Sequence, residues 1–386
     1  MNNAFCRGAA VLLALVTLFT PTHPTTYAAG VKRNHMTTLI VRSSPKAVFE
    51  SRYVIHNAKL QLALRKAKQE EAEFSPSLTD VYVIAPHGAQ ENILRLEQSG
   101  NLWDEEQGKR LVLPRNASHK LLKEAQKARN RHYGDLIPWK DADSIVYRKS
   151  VFTITDLETG LSFRVQRRAG SDHADVQPTT KEDTKMMKRI YEGRWSWKRK
   201  AILVSAGGRR LAASMNGMPH GGDGIPDNDF SGHFCVHFLN STTHRSEVPD
   251  PAHQFMVYKA AGKTRELLHA ATPRKLAQYL VQAMNDRDLE IVRLLAEGVK
   301  REKSGALIRE LDSLVSVKMI RQSELDQADD LYSVTFTLEA VELHPRTRIK
   351  YKKEFQFMLI RQLPESSWRM QDLNLDPEPE KNTREA

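Results

Sequence analysis

The segment SGHFCVHFLNSTTH, residues 231–244, contains three histidines and one cysteine, side chains that could act as nucleophile, base or metal ligand. Apolar and reactive residues alternate in its first half, which is typical of a β-strand. The reactive set is His233, Cys235 and His237, and the apolar set is Phe234, Val236 and Phe238. A strand places the thiol and both imidazoles on one face, where an imidazole could accept the thiol proton. The spacing therefore makes Cys235 a candidate nucleophile with a histidine base, beside a metal site or a buried strand.

The cysteine content supports this interpretation. The chain has two cysteines, and Cys6 lies in a leader that resembles a secretory signal peptide over residues 1–29. That leader has a basic n-region at Arg7, a short apolar run and small residues at a possible cleavage site, Ala28-Ala29. An uncleaved membrane anchor is the alternative. After cleavage Cys235 is the one remaining thiol, and a lone thiol in an oxidising compartment is usually buried or used.

Charge and hydropathy narrow the class of partner. The 386-residue chain carries a formal net charge of +11, which favours an anionic partner. For an exported protein, a cell-wall polymer or a membrane surface is a more suitable anionic partner than nucleic acid. The sequence also contains no nucleic-acid-binding motif. No later segment is apolar enough to cross a bilayer, so we expect no transmembrane segment after signal cleavage.

The elements that position the segment predict a multi-domain α+β fold. Residues 36–145 read as a mixed or helical region, with an amphipathic helix predicted over 88–100. Residues 146–268 contain two hairpin patterns, turning near Gly160 and at Gly207-Gly208, and predict an antiparallel sandwich or barrel. Residues 272–375 begin with helices and continue with three strands, an order that resembles the NTF2-like (cystatin-like) fold. We expect the tail, 376–386, to be disordered.

The motif of the central region resembles the active site of the L,D-transpeptidase (YkuD-type) family, found in bacterial cell envelopes. His220-Gly221 is followed, after a loop, by Gly232-His233-Phe234-Cys235-Val236. Phe234 and His237 stand where the family usually has glycine and arginine. The resemblance covers roughly residues 146–265. It implies acyl transfer on peptidoglycan stem peptides without a cofactor.

The resemblance also implies roles for individual residues. Cys235 would be the nucleophile, His233 the base and His220 the first histidine of the motif. Further residues would orient the site or bind substrate: Gly221, Ser231, Gly232, His237, His173 and Asp175.

Two other interpretations stay open at this point. Zinc could be held by His233, Cys235 and His237, with His173 and Asp175 adding ligands, which would suit a metallopeptidase. The segment could also be a buried strand in a cell-wall-binding protein without catalysis.

Overall fold

The computed structural model describes residues 37–72, 77–87, 90–222, 224–243, 248–313, 316–322, 331–343, 350–375 and 380–381. From Thr37 onwards these residues form one compact unit. Their fold is mixed α+β, and their strands pair mostly antiparallel. The predicted leader, residues 1–29, lies outside the described residues.

The first part of the chain forms a seven-stranded antiparallel sheet with two helices packed on it. Its elements are β1 (Thr38–Arg42), β2 (Glu50–Val54), α1 (Ala58–Arg65), β3 (Lys68–Glu71), β4 (Ser77–His87), β5 (Gln90–Glu97), β6 (Leu102–Asp104), β7 (Lys109–Val112) and α2 (Arg115–His132). The strand order is β2-β1-β4-β5-β6-β7-β3. The Asn57 side chain caps α1 by accepting from the Leu60 N–H, which satisfies an otherwise unpaired donor.

The helix predicted over residues 88–100 is wrong, because β5 occupies this segment. Leu94 and Leu96 are both buried in the core, and a strand puts residues two apart on one face, whereas a helix separates them by about 200°. Arg95, between them, is also buried and forms an ion pair with Glu290. The region is mixed, as predicted, but it contains more strand than helix.

The central part of the chain is a closed six-stranded antiparallel barrel with flanking helices. Its elements are α3 (Trp139–Ile145), β8 (Val151–Asp156), β9 (Ser162–Ala169), β10 (Ala174–Pro178), α4 (Lys181–Ile190), β11 (Lys200–Ala206), β12 (Arg209–Met215), β13 (Phe234–His237) and α5 (Pro251–Ala260). The barrel order is β10-β13-β12-β11-β8-β9. Both predicted hairpins are confirmed: β8 pairs with β9, and β11 pairs with β12. Gly207 and Gly208 make the second turn at φ of 56° and 72°.

The last part of the chain packs helices against a second antiparallel sheet. Its elements are α6 (Thr264–His269), α7 (Pro273–Asp286), α8 (Leu289–Leu295), α9 (Arg301–Ser313), β14 (Ser316–Gln322), β15 (Ser333–Leu343), β16 (Lys350–Ile360), β17 (Arg369–Leu375) and β18 (Glu380–Lys381). The sheet runs β14-β15-β16-β17, and β18 pairs with β16. The helix start predicted at Thr272-Pro273 is confirmed, since Thr272 caps α7. Of the tail expected to be disordered, only Glu380–Lys381 lies among the described residues.

Two hydrophobic clusters form the core of the described residues. One fills the barrel with side chains from all six of its strands, including Phe234 and Val236 of β13. The other extends from the first sheet through α5, α7 and α8 to the last sheet. The barrel strand that carries the cysteine is therefore part of a rigid core. Among the described residues, no helix combines the length and apolarity needed to cross a bilayer.

His132, at the end of α2, makes the stability of this core depend on pH. Its ring is stacked on Phe49 and meets the edge of Tyr133, and its Nδ1 lies 2.8 Å from Ser51 Oγ. Burial lowers the pKa of His132 to about 4. In the unfolded chain a histidine takes up its proton near pH 6.5, so the stabilising contribution is present above that pH and is lost as the pH falls towards 4.

We expect this residue to reduce the free energy of unfolding by about 3 kcal/mol between pH 7 and pH 4. Urea denaturation of wild type and His132→Gln across this range measures the contribution as the difference in pH dependence. His119→Gln, an exposed histidine of the same helix, is the matched control. Equal pH dependence in wild type and His132→Gln would contradict the prediction.

Candidate functional site

Cys235 lies in β13, the strand predicted from the alternating pattern. Phe234 and Val236 are fully buried in the barrel interior, so Cys235 and His237 lie on the opposite face of the strand. β13 pairs with β10 on one side and with β12 on the other. Both neighbours are antiparallel, and together they hold the thiol on a rigid backbone.

Asp175 is the carboxylate that connects the thiol to two histidines. It is the cross-strand partner of Cys235 in the pairing of β10 with β13, and its Oδ1 lies 3.8 Å from Sγ. The same Oδ1 lies 3.1 Å from His173 Nε2 and 3.6 Å from His233 Nε2. Asp175 is almost fully buried, so its charge is little screened by water. It can therefore orient and stabilise a positively charged imidazole at either position.

His220 is oriented to accept the thiol proton. Its Nδ1 lies 2.9 Å from the carbonyl oxygen of Met218, and its Nε2 lies 3.3 Å from Sγ of Cys235. Because a carbonyl oxygen only accepts hydrogen bonds, Nδ1 is assigned the hydrogen and Nε2 the lone pair. That lone pair faces the thiol. His220 thus has the geometry of a general base for Cys235.

The loop between His220 and His233 is closed at its base by their own backbones. The His220 N–H donates to the His233 oxygen at 2.9 Å, and the His233 N–H donates to the His220 oxygen at 2.7 Å. Gly221 and Gly232 flank this bridge at φ of 72° and 87°. A Cβ on Gly232 would stand 2.3 Å from the His220 oxygen, and one on Gly221 would stand 2.2 Å from the His233 ring. Only glycine fits at both positions.

The environment of Cys235 favours the neutral thiol. Burial raises its pKa to about 12, with a further increase from the Asp175 carboxylate. A hydrogen bond from the Asn216 amide and the positive charge of Arg199 act in the opposite direction. The resting thiol is therefore protonated at neutral pH, and any attack by sulfur requires transfer of the proton during the reaction.

His237 lies in a stack of three buried imidazoles. Its ring centroid is 4.5 Å from that of His173 and 3.8 Å from that of His253, at interplanar angles of 16° and 25°. Burial lowers the pKa of His237, and the neighbouring His253 and His173 lower it further. Burial also lowers the pKa of His253, whose Nδ1 lies 2.9 Å from Ser214 Oγ. His237 and His253 are therefore neutral at neutral pH.

The residues able to hold a metal differ from the set predicted from the sequence. His173, Cys235 and His237 offer ligand atoms that all lie within 4.8 Å of one another. The prediction had His233, Cys235 and His237 as ligands, with His173 and Asp175 adding to them. In the structure His173 takes the third place, and His233 lies outside the cluster. The reason is that His173 directly precedes β10, which pairs with β13. Its ring therefore reaches the face of β13 that carries Cys235 and His237.

The structure gathers most of the predicted site residues around one thiol. His220 and Asp175 lie next to Cys235, His173 and His233 contact Asp175, and the two glycines shape the bridge. Ser231 is exposed at the end of the loop.

Three residues of the site are not among those that the sequence predicts for it. Asn216 donates to the thiol, His253 stacks on His237, and Trp197, half exposed, lies with its ring 5.3 Å from His220. Trp197 stands in the aromatic and basic run GRWSWKRK, which was the available signal. Asn216 and His253 carried no comparable pattern.

No protein-family model matches the chain, and no curated protein matches it significantly. The site must therefore be interpreted from its own geometry.

Proposed function

We propose that the chain is an exported bacterial cell-wall enzyme that acts on peptidoglycan stem peptides by cysteine acyl transfer. The observation that carries this proposal is the contact of 3.3 Å between His220 Nε2 and Cys235 Sγ. The contact joins a nucleophile to a base whose tautomer is set by the Met218 carbonyl. The resemblance of residues 220–236 to the L,D-transpeptidase motif supplies the substrate class.

In the proposed first step, Sγ attacks a stem-peptide carbonyl carbon while its proton passes to His220 Nε2. The tetrahedral intermediate then collapses: the C–N bond breaks, and the leaving D-alanine amine takes the proton back from Nε2. A thioester on Cys235 results. General-base transfer is required here because the resting thiol is protonated.

In the second step, an amine of another stem peptide or a water molecule attacks the thioester. His220 accepts the proton of the attacking group and returns it to the departing sulfur, so that the thiol is regenerated. Transpeptidase and carboxypeptidase outcomes differ only in this acceptor.

His220 replaces His233 as the proposed base. His233 contacts the Asp175 carboxylate, and its side chain is 19% exposed, so we assign it to orienting the substrate. Asn216 donates to sulfur and would stabilise the negative charge that develops there as the proton leaves. The positive charge of Arg199 also favours the thiolate.

The surface next to the base suits a glycan-peptide polymer. The Trp197 ring is 52% exposed and lies against His220, and Lys198 beside it is also exposed. An exposed aromatic ring next to a cation can bind a sugar face and an anionic group together. The net charge of +11 favours the same anionic polymer.

Two further parts of the proposal concern the rest of the chain. Residues 1–29 would act as the export signal. Helices α7 to α9 with the sheet β14-β15-β16-β17 would form the NTF2-like region that accompanies the barrel.

A zinc peptidase is the weaker alternative. The candidate ligands are His173, Cys235 and His237. A zinc held by them would leave the contact of His220 Nε2 with Cys235 Sγ without a role. A cell-wall-binding protein without catalysis is the other alternative, and the experiment below separates it from an enzyme.

Intact-mass measurement of the purified chain after incubation with a carbapenem or a stem tetrapeptide tests the proposal. With the chain purified without residues 1–29, which contain Cys6, we expect one acyl adduct per chain, lost in Cys235→Ala because the thiol is removed. Ser231→Ala, an exposed hydroxyl four residues away, is the matched control and should retain the adduct. Wild type without an adduct from either acyl donor, or Cys235→Ala with the adduct, would overturn the proposal.

A further inference from the structure

We propose that His173, Cys235 and His237 form a closed binding site for Zn²⁺ that masks the nucleophile when occupied. Their ligand atoms lie within 4.8 Å of one another, and all three residues are almost fully buried. Two imidazole nitrogens and a thiolate are a preferred donor set for zinc.

His173 contributes Nε2 to the cluster. Its Nδ1 lies 2.9 Å from the carbonyl oxygen of Thr242, which assigns a hydrogen to Nδ1 and makes Nε2 the nitrogen that a metal would bind. A histidine that donates its second nitrogen to a carbonyl is the usual arrangement around a bound metal. Nε2 lies 3.1 Å from Asp175 Oδ1, a contact in which an N–H donates to the carboxylate, so metal binding at Nε2 would replace that hydrogen while Asp175 stays beside the bound cation.

His237 supplies the second, independent observation. Its Nδ1 is buried, and among the described residues no hydrogen-bond partner contacts it. A buried side-chain nitrogen atom without a hydrogen-bond partner is uncommon in folded proteins. A metal ion held by the ligand atoms of His173, Cys235 and His237 would give the His237 ring a polar partner.

The charges also balance. Zinc binding converts the thiol to a bound thiolate and releases one proton: Zn²⁺ + RSH gives RS–Zn⁺ + H⁺. The Asp175 carboxylate, 3.8 Å from Sγ, neutralises the remaining positive charge. The bound metal uses the sulfur lone pair that would attack a carbonyl, so an occupied site is inactive until the metal is removed. This inhibitory consequence rests on the proposed function, whereas the binding of metal does not.

Titration of the metal-free full chain with Co²⁺, followed by absorption spectroscopy, tests the site directly. We expect one ion per chain, with a sulfur-to-cobalt charge-transfer band that EDTA removes and Zn²⁺ displaces. Cys235→Ser should lose the band, and His173→Gln and His237→Gln should weaken binding at least about 10-fold. His233→Gln is the matched control, a histidine two residues from Cys235 but outside the cluster, and should keep the band.

A second measurement does not depend on variants that could fold poorly. Zinc should raise the unfolding midpoint of the wild-type chain, because a ligand that binds only the folded state stabilises it. Absence of both the band and the midpoint shift in wild type would overturn the metal site, and so would an unchanged band in His237→Gln. The two proposals fail separately: an acyl adduct without metal binding rejects only the zinc site, and metal binding without an adduct after EDTA treatment rejects only the acyl transfer.

Discussion

Replacing His220 with glutamine is expected to slow acylation of Cys235 by about 100- to 10,000-fold, the usual contribution of a general base. The resting thiol is protonated, and its pKa is raised to about 12, so sulfur cannot attack until a base removes its proton. His220 Nε2, at 3.3 Å, is assigned that role. Glutamine preserves much of the size of the side chain but cannot take up the proton. The single-turnover rate of adduct formation, followed by intact mass, measures the effect.

His233→Gln is the discriminating control for this experiment. The family resemblance implies His233 as the base, whereas the geometry assigns the proton transfer to His220. We expect the acylation rate to fall less in His233→Gln than in His220→Gln, and the decrease to come mainly from weaker binding of the acyl donor. A larger loss of acylation rate in His233→Gln than in His220→Gln would return the role of base to His233. Thermal unfolding of both variants checks that the barrel is retained.

Gly232→Ala is expected both to destabilise the fold and to slow acylation of Cys235. A Cβ at this position would stand 2.3 Å from the His220 oxygen, at a φ of 87° that alanine disfavours. Strained backbone and forced overpacking each cost about 1–3 kcal/mol, so we expect a loss of at least about 2 kcal/mol in the free energy of unfolding. The bridge that positions His220 would also open, and acylation should fall about 100-fold, because such displacement removes near-attack geometry.

Gly222→Ala provides the matched control within the same loop. A Cβ there meets no atom within 4 Å, so both stability and acylation should stay near wild type. Denaturant unfolding and the single-turnover assay measure the two effects separately. Wild-type stability and acylation in Gly232→Ala would show that the His220–His233 bridge does not hold the site together.

Local patterns were enough to predict several elements of the fold. The hairpins of the barrel, the start of α7 at Pro273 and the strand of Cys235 follow from alternation, turn glycines and a helix cap. These signals act over a few neighbouring residues, so they can be recognised before the chain folds. The helix predicted for the segment of β5 is wrong because the burial of this strand depends on contacts with distant partners, including the Arg95–Glu290 ion pair.

The functional site likewise has features that local sequence patterns predict and features that only the tertiary structure decides. The sequence by itself determined that Cys235 is the mature chain's candidate nucleophile. It also determined that Phe234 and Val236 face away from the thiol, because strand periodicity decides which side chains share a face. Only the tertiary structure decided that Asp175 lies opposite Cys235, that His220 faces the thiol and that His173 joins His237. These contacts join residues far apart in the chain. Closure of the barrel and the backbone bridge of the loop bring them together, and neither leaves a local pattern in the sequence.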